Sequence, residues 1–316
     1  MDQGDSVEII SFYNTENFFS PNSSVDTIEK TRLLQNWDDW KYKNKLHKIA
    51  QVFQFIEEEH GALPMFIGLC EIQSESVLYD LLYLPPFERK YGFIHINSPD
   101  ERGIDVAALY DKSKIKILDT ESITFFFNEL HLPRRNYDAT RDVLYVSFEF
   151  QEEIYHTFIF HLPSKRERDV NLPKRAHILE KMKARLLDLA KEKANIILLG
   201  DFNENPDSPL IKALLTDEKL GDLFKNPFAE LYEKKQFSTF HYQDGLLFDQ
   251  ILVSESISSG EANLWFRDAM VFNSERISSK DKKFSQRPFR TYAGTRYLGG
   301  YSDHFPVLAK FNSKKK

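Results

Sequence analysis

A single cysteine, Cys70, in 316 residues rules out an intramolecular disulfide framework, so nothing in the chain calls for an oxidising compartment. No stretch approaches the roughly 20 uninterrupted apolar residues that a membrane span needs. The start runs from acidic residues into a strand-like segment, Val7 to Tyr13, without the basic region, apolar run and cleavage site of a signal peptide. A soluble, cytoplasmic protein is the expectation. An excess of positive charge is also missing: a formal net charge of −6 argues against a protein that coats nucleic acid along its whole surface. There are no Pro/Gly/Ser-rich linkers and no short-period repeats, hence no seam at which the chain would divide. What is present is a globular composition, 41% hydrophobic, 14% aromatic and 28% charged. Two local basic groups, Lys165, Arg166 and Arg168, and Lys280, Lys282, Lys283, Arg287 and Arg290, read either as solvated loop faces or as phosphate contacts.

Helical periodicity is clearest where Leu46, Ile49, Phe53 and Ile56 recur at three- and four-residue steps. Leu179, Met182, Leu186 and Leu189 repeat the pattern, with Asn171 and Pro173 as start signals, and Ser208-Pro209 marks a shorter helix. Short apolar runs between them predict buried strands at Met65–Leu69, Val106–Tyr110, Tyr155–His161, Ile196–Leu199, Phe248–Val253 and Val307–Phe311. Val143–Phe150 and Tyr155–His161 predict a hairpin. Phe125, Phe126 and Phe127 read as a buried strand rather than an exposed wedge. Strands with helices and hairpins interspersed predict an α+β fold of two packed sheets with helices outside.

The strongest local signal is Gly200-Asp201-Phe202-Asn203, directly after a strand, where alternation puts Asp201 and Asn203 on one side. Alone it would be an ordinary Asp/Asn turn. It is joined by Asp303-His304 before the last strand, Glu71 and His161 at strand ends, Asp249 within a strand, and Asn14 at the end of the first.

Together these segments resemble the endonuclease/exonuclease/phosphatase superfamily, the pancreatic-deoxyribonuclease-like fold, and within it a bacterial endonuclease-like group. The matching motifs are Tyr13–Phe18, Ser98–Ala107, His161–Ser164, Gly200–Asn203, Asp249–Ser254 and Gly299–Val307. The resemblance covers nearly the whole chain and is specific for the superfamily, but weak for substrate. It implies a four-layer α/β/β/α sandwich of two mixed sheets, with the active site on loops at one edge. Because Asn14 and His304 must then meet at one centre, residues 1–316 are expected to form a single domain.

The resemblance also implies hydrolysis of phosphate esters, with Mg²⁺ or Mn²⁺ as cofactor. Glu71 is the expected principal metal ligand, with Asn14 and Asp303 completing or holding the shell. Asp201 and Asn203 would position the attacking water and a phosphate oxygen, with Asp201 as base. His304 would hydrogen-bond a non-bridging oxygen, and His161 would do the same or act as the acid. Asp249 is expected to orient His161. Several acids around one point would repel one another without a cation, which favours metal over a metal-free acid/base pair. Arg102, Arg141 and Lys165 are candidates for substrate contact, although an ion pair from Arg102 to Asp105 or Asp100 is an alternative. The turn His161-Leu162-Pro163-Ser164-Lys165 departs from a frequent HWPSR pattern, replacing a flat ring and a bidentate cation. A phosphodiester substrate, nucleic acid among the candidates, is the expected partner, with no obligate protein partner. Hydrolysis of a lipid headgroup, inositol phosphate or other small phosphoester is the alternative. A silent binding domain would lack an acid, amide or histidine position, and none is missing.

Overall fold

The computed structural model describes residues 6–21, 34, 36–88, 90–100, 102–127, 130, 140–165 and 168–314. Two six-stranded sheets dominate it. Their strands are β1 (Ser6–Phe18), β2 (Phe66–Ile72), β3 (Tyr91–His95), β4 (Asp105–Asp111), β5 (Lys116–Ile123) and β6 (Val143–Phe150). The remainder are β7 (Glu153–His161), β8 (Asn195–Asp201), β9 (Phe224–Lys225), β10 (Asp249–Ser254), β11 (Leu264–Val271) and β12 (Val307–Ser313). The first sheet has the order β11-β12-β1-β2-β4-β3 and the second β9-β10-β8-β7-β6-β5. Each contains one parallel pair, β1 with β2 and β7 with β8, in otherwise antiparallel surroundings. The expected strands coincide with these elements with ends shifted by up to three residues, and the hairpin forms as β6–β7.

The sheets meet face to face. Phe66 of β2 stacks on Phe148 of β6 with ring centroids 5.5 Å apart, and a Cβ at Gly68 would lie only 2.9 Å from Leu199 Cδ1 of β8. That glycine therefore allows β2 to approach β8 without a clash. On the outer face of the first sheet lies α1 (Asp39–His60), whose Leu46, Ile49, Phe53 and Ile56 are buried as their spacing requires. Its Phe53 meets Tyr13 of β1 edge-on at 6.2 Å, and its first turn is capped by Asp38, which accepts from Lys41 N at 2.8 Å. On the second sheet lies α3 (Leu172–Lys191), which follows the short α2 (Glu75–Leu82) in sequence. Ile178, Leu179, Met182 and Leu186 of α3 bury against Phe158, Phe160, Ile196 and Leu198. Each such side chain contributes about 1.5–3 kcal/mol of burial energy, so four of them suffice to fix the helix to the sheet.

Two local expectations change. Asn171 makes no cap bond; its amide donates to Ser164 O at 2.9 Å, tying the loop after His161 to the start of α3. Phe125–Phe127 lies just beyond β5 rather than in a strand: Phe125 and Phe127 are buried beside α3, whereas Phe126 is 62% exposed. The helix after Ser208 is α4 (Pro209–Leu215), with Ser208 Oγ accepting from Ile211 N at 3.3 Å. Among the described residues no helix is long and apolar enough to cross a membrane.

Candidate active site

The site forms where the two parallel strand pairs end. In the first sheet the β1–β2 register runs to Asn14 opposite Cys70 and then breaks. Glu71 follows at a left-handed φ of 62°, in a bulge against β4 that re-aims its side chain. Asn17, also left-handed, donates its N–H to Glu71 Oε2 at 2.7 Å. In the second sheet His161, Asp201 and Asp249 stand in register across β7, β8 and β10, which sets three active side chains in one row. His304 precedes β12 and is bridged to Thr239.

Asn14 links the two strand ends: its Nδ2 lies 3.2 Å from Asp201 Oδ2 and 3.5 Å from Glu71 Oε1. His161 Nε2 spans the same two acids, at 3.9 Å from Glu71 Oε1 and 4.0 Å from Asp201 Oδ2. His304 Nδ1 contacts Asp249 Oδ2 at 2.7 Å while its Nε2 lies 4.0 Å from Asp201 Oδ2. Asp249 therefore orients His304, not His161 as the sequence suggests. The physical reason is the row itself, in which Asp201 stands between His161 and Asp249. Ser238 Oγ fixes the same Asp249 oxygen at 2.5 Å.

Burial, then the neighbouring Asp249 carboxylate, raise the Asp201 pKa to about 7 against the opposing pull of His304 and of hydrogen bonds from Asn203 and Asn14. Burial alone would lower His304, but the field and hydrogen bond of Asp249, with Asp201 and Asp303, outweigh it and raise that imidazole to about 10. The pair therefore carries a proton on His304 throughout the neutral range. Asp249 Oδ1 is buried and has no hydrogen-bond partner among the described residues. One ligand atom each from Asp201, Asp249 and His304 lies within 4.8 Å of the others. Burial together with the Asp249 carboxylate holds the Asp201 carboxyl up, and this crowding of acids at one edge is a charge that a divalent cation would balance. The facing donors are carboxylate, amide and imidazole, with Cys70 buried in β2, so the set fits a hard divalent cation.

Other expected residues are placed differently. Asn203, at a left-handed φ of 48°, leaves the strand alternation; its amide donates to Leu162 O at 2.9 Å, and its N–H to Asp201 Oδ1 at 2.9 Å. Arg141 is buried and donates to the same Leu162 carbonyl at 3.0 Å, with Asp100 at 3.4 Å. These two side chains clamp the residue after His161. Arg102 reaches Asn17 Oδ1 at 3.3 Å, and its N–H bonds Asp100. Lys165 pairs with the buried Glu204 at 2.8 Å; Arg166 lies outside the described residues. Asp303 Oδ2 faces Arg290 at 3.5 Å.

Sequence reasoning missed a supporting network. Lys45 of α1, fully buried, donates to Thr291 Oγ1 and Tyr301 O, both at 2.6 Å. Glu16 accepts from Thr291 N at 2.6 Å and Tyr292 N at 3.2 Å. Ser302 Oγ donates to Asn14 O at 2.6 Å, so the segment carrying Asp303 and His304 is tied to β1 and α1. Lys45 looks like a helix-surface lysine in sequence, and Ser238 and Ser302 carry no signal beyond nearness to a motif.

Two stacked mixed sheets whose strand ends converge acids, an amide and two histidines define the class of fold in which phosphoester hydrolases are built. Residues 9–313 match the Endonuclease/Exonuclease/phosphatase family, and the chain belongs to it. Among solved structures, the endonuclease/exonuclease/phosphatase from Bacteroides vulgatus superposes with a TM-score of 0.60 at 15% identity, covering 98% of this chain and 99% of that one. TDP2 from D. rerio in complex with single-strand DNA product gives 0.59 at 18% identity, over 98% and 100%. A mannosyl-6-phosphatase from Bacteroides thetaiotaomicron gives 0.57 at 16%, over 96% and 99%. At these identities the likeness is one of fold. No curated protein matches the chain.

Proposed function

We propose that the protein is a Mg²⁺- or Mn²⁺-dependent phosphodiester hydrolase of nuclease-like type, acting as a single domain over residues 1–316. The observation that carries this reading is the convergence of Glu71, Asn14, His161, Asp201 and the Asp249–His304 pair at the ends of both parallel strand pairs. Glu71 would hold the cation, with Asn14 and Asp303 beside it. A bound divalent cation neutralises charge on the phosphoryl oxygens and supplies Lewis acidity.

The protein's own groups do the rest. Asp201, its carboxylate fixed by the Asn203 N–H and the Asn14 amide, accepts the proton of the attacking water. His304, kept protonated and oriented by Asp249, donates from Nε2 to a non-bridging oxygen. His161, clamped through the Leu162 carbonyl by Asn203 and Arg141, faces the same point and serves the leaving oxygen. Arg102 is linked to the Glu71 cluster through Asn17 and would meet a phosphate bound there, whereas Lys165 is engaged by Glu204.

The net charge of −6 favours a second reading, hydrolysis of a small phosphoester or sugar phosphate, because it disfavours extended backbone contact. A panel of single-stranded and duplex nucleic acid, bis-p-nitrophenyl phosphate, sugar monophosphates and phospholipid, assayed with each metal, separates the two. Turnover confined to monoesters overturns the nuclease-like reading.

A further inference from the structure

A two-stranded hairpin, Thr239–His241 paired with Asp244–Leu246, rises from the active site. Its root belongs to the catalytic arrangement: Thr239 Oγ1 donates to Asp303 O at 2.8 Å, Thr239 bridges His304, and Ser238 holds Asp249. Its tip carries Tyr242, left-handed at φ 51° and 82% exposed, with the His241 ring 4.6 Å away. Three residues of extended chain separate root and tip, about 10 Å.

The tip is held from the side by Arg287, whose guanidinium donates to Tyr242 O. That guanidinium also lies near two rings, 5.0 Å from the Phe240 centroid and 5.3 Å from that of Phe284. Phe284 is 41% exposed, and Lys283 stands over it at 5.5 Å. Residues 280–290 hold five cations, Lys280, Lys282, Lys283, Arg287 and Arg290, against the single acid Asp281. The cluster therefore presents exposed rings, a cation beside them and a locally positive rim on an otherwise acidic protein.

We propose that the exposed Tyr242 ring, on a tip braced by Arg287, stacks an unpaired base of a single-stranded nucleic acid whose scissile phosphate lies at His304. The proposal rests on the nuclease-like reading and deepens it by naming the strand state. A π-face is available only on a base outside a duplex, and base stacking on aromatic and guanidinium planes is tolerant of sequence. Lys282 and Lys283, both exposed, supply the charge that meets the flanking phosphates. At about 3.4 Å of rise per stacked nucleotide, a tip about 10 Å from the root is reached within three nucleotides of the cleaved bond. A small phosphoester filling only the central site would not touch the tip. A membrane wedge would carry aliphatic side chains where this tip has His241, Gln243 and Asp244.

The test is KM and kcat of the full chain with Mn²⁺ on a short oligothymidylate and on bis-p-nitrophenyl phosphate, for wild type, Tyr242→Ala, Tyr242→Phe and Arg287→Met. Loss of the ring should raise the oligonucleotide KM by about 5- to 150-fold, the equivalent of one stacked base. Bis-p-nitrophenyl phosphate kinetics should be unchanged, and Tyr242→Phe should behave as wild type. Oligothymidylate cleavage with an unaltered KM in Tyr242→Ala overturns the stacking site and leaves the nuclease-like reading standing. Hydrolysis of bis-p-nitrophenyl phosphate by a wild type that does not cleave oligothymidylate overturns the nuclease-like reading itself. Tyr242-dependent binding to phosphatidylserine vesicles, without an effect on the oligonucleotide KM, overturns the nucleic-acid occupant in favour of a membrane.

Discussion

Asp249 and His304 share a 2.7 Å contact, so in the proposed mechanism each depends on the other. Asp249→Ala should lower kcat by about 10²–10⁴-fold, as should His304→Ala, and the double variant should cost no more than the worse single one. Additive losses would show that they act separately. Glu71→Gln preserves shape but removes the charge assigned to the cation; thermal unfolding should stay within a few degrees while most turnover disappears at saturating Mg²⁺. Asp201, raised to about 7, binds a proton in the cation-free protein below that pH and none well above it. A cation held at Glu71, which Asn14 links to Asp201, repels that proton and so competes with it. Mn²⁺ affinity measured by calorimetry should therefore fall as the pH drops below about 7, by up to about tenfold per unit, and level off above it. A pH-independent Kd would contradict this role for Asp201. The identities of these residues were legible because each ends or borders an apolar strand. The partner of Asp249 was not, since pairing depends on the register of β7, β8 and β10, which one sequence does not state.

Among the elements, strands and helices bounded by strong apolar patterning were legible: α1, α3, β7, β8 and β12 lie where periodicity put them. The missed ones have physical excuses. β5 is exposed on most of its length, α2 spans only eight residues, and β11 mixes exposed and buried positions, so none offers a clean period. Close approach between elements is equally silent in sequence. A Cβ at Gly200 would lie 2.3 Å from the Phe160 carbonyl oxygen, so Gly200→Ala must push β8 from β7 and separate His161 from Asp201. Chemical denaturation should show a loss of about 1–3 kcal/mol, with activity falling further than stability. Arg175 of α3 is fully buried and bonds Glu204, Asp169 and Pro163 O, closing the loop that leaves His161. Arg175→Met would leave the buried Glu204 carboxylate with Lys165 as its remaining cation among the described residues, and about 1–3 kcal/mol of stability should be lost. A change under about 1 kcal/mol, the scale of a surface ion pair, would mean the loop closes without it.

For the whole molecule, the site exists only because both sheets deliver their strand ends to one edge, with Asn14 from the first sheet touching Asp201 from the second. Four layers were foreseeable from the alternation of strands and helices together with the family resemblance. The tie from α1 through Lys45 to the segment bearing His304 was not, because a buried lysine in an amphipathic helix has no distinct pattern. The central claim is that this shared edge hydrolyses phosphodiesters only with a divalent cation. It is tested most directly by stripping the protein with EDTA and following bis-p-nitrophenyl phosphate hydrolysis as Mn²⁺ or Mg²⁺ is returned. Activity should vanish on stripping and return with either metal in the wild type, and fail to return in Glu71→Gln. Hydrolysis that persists in metal-free buffer would contradict the account.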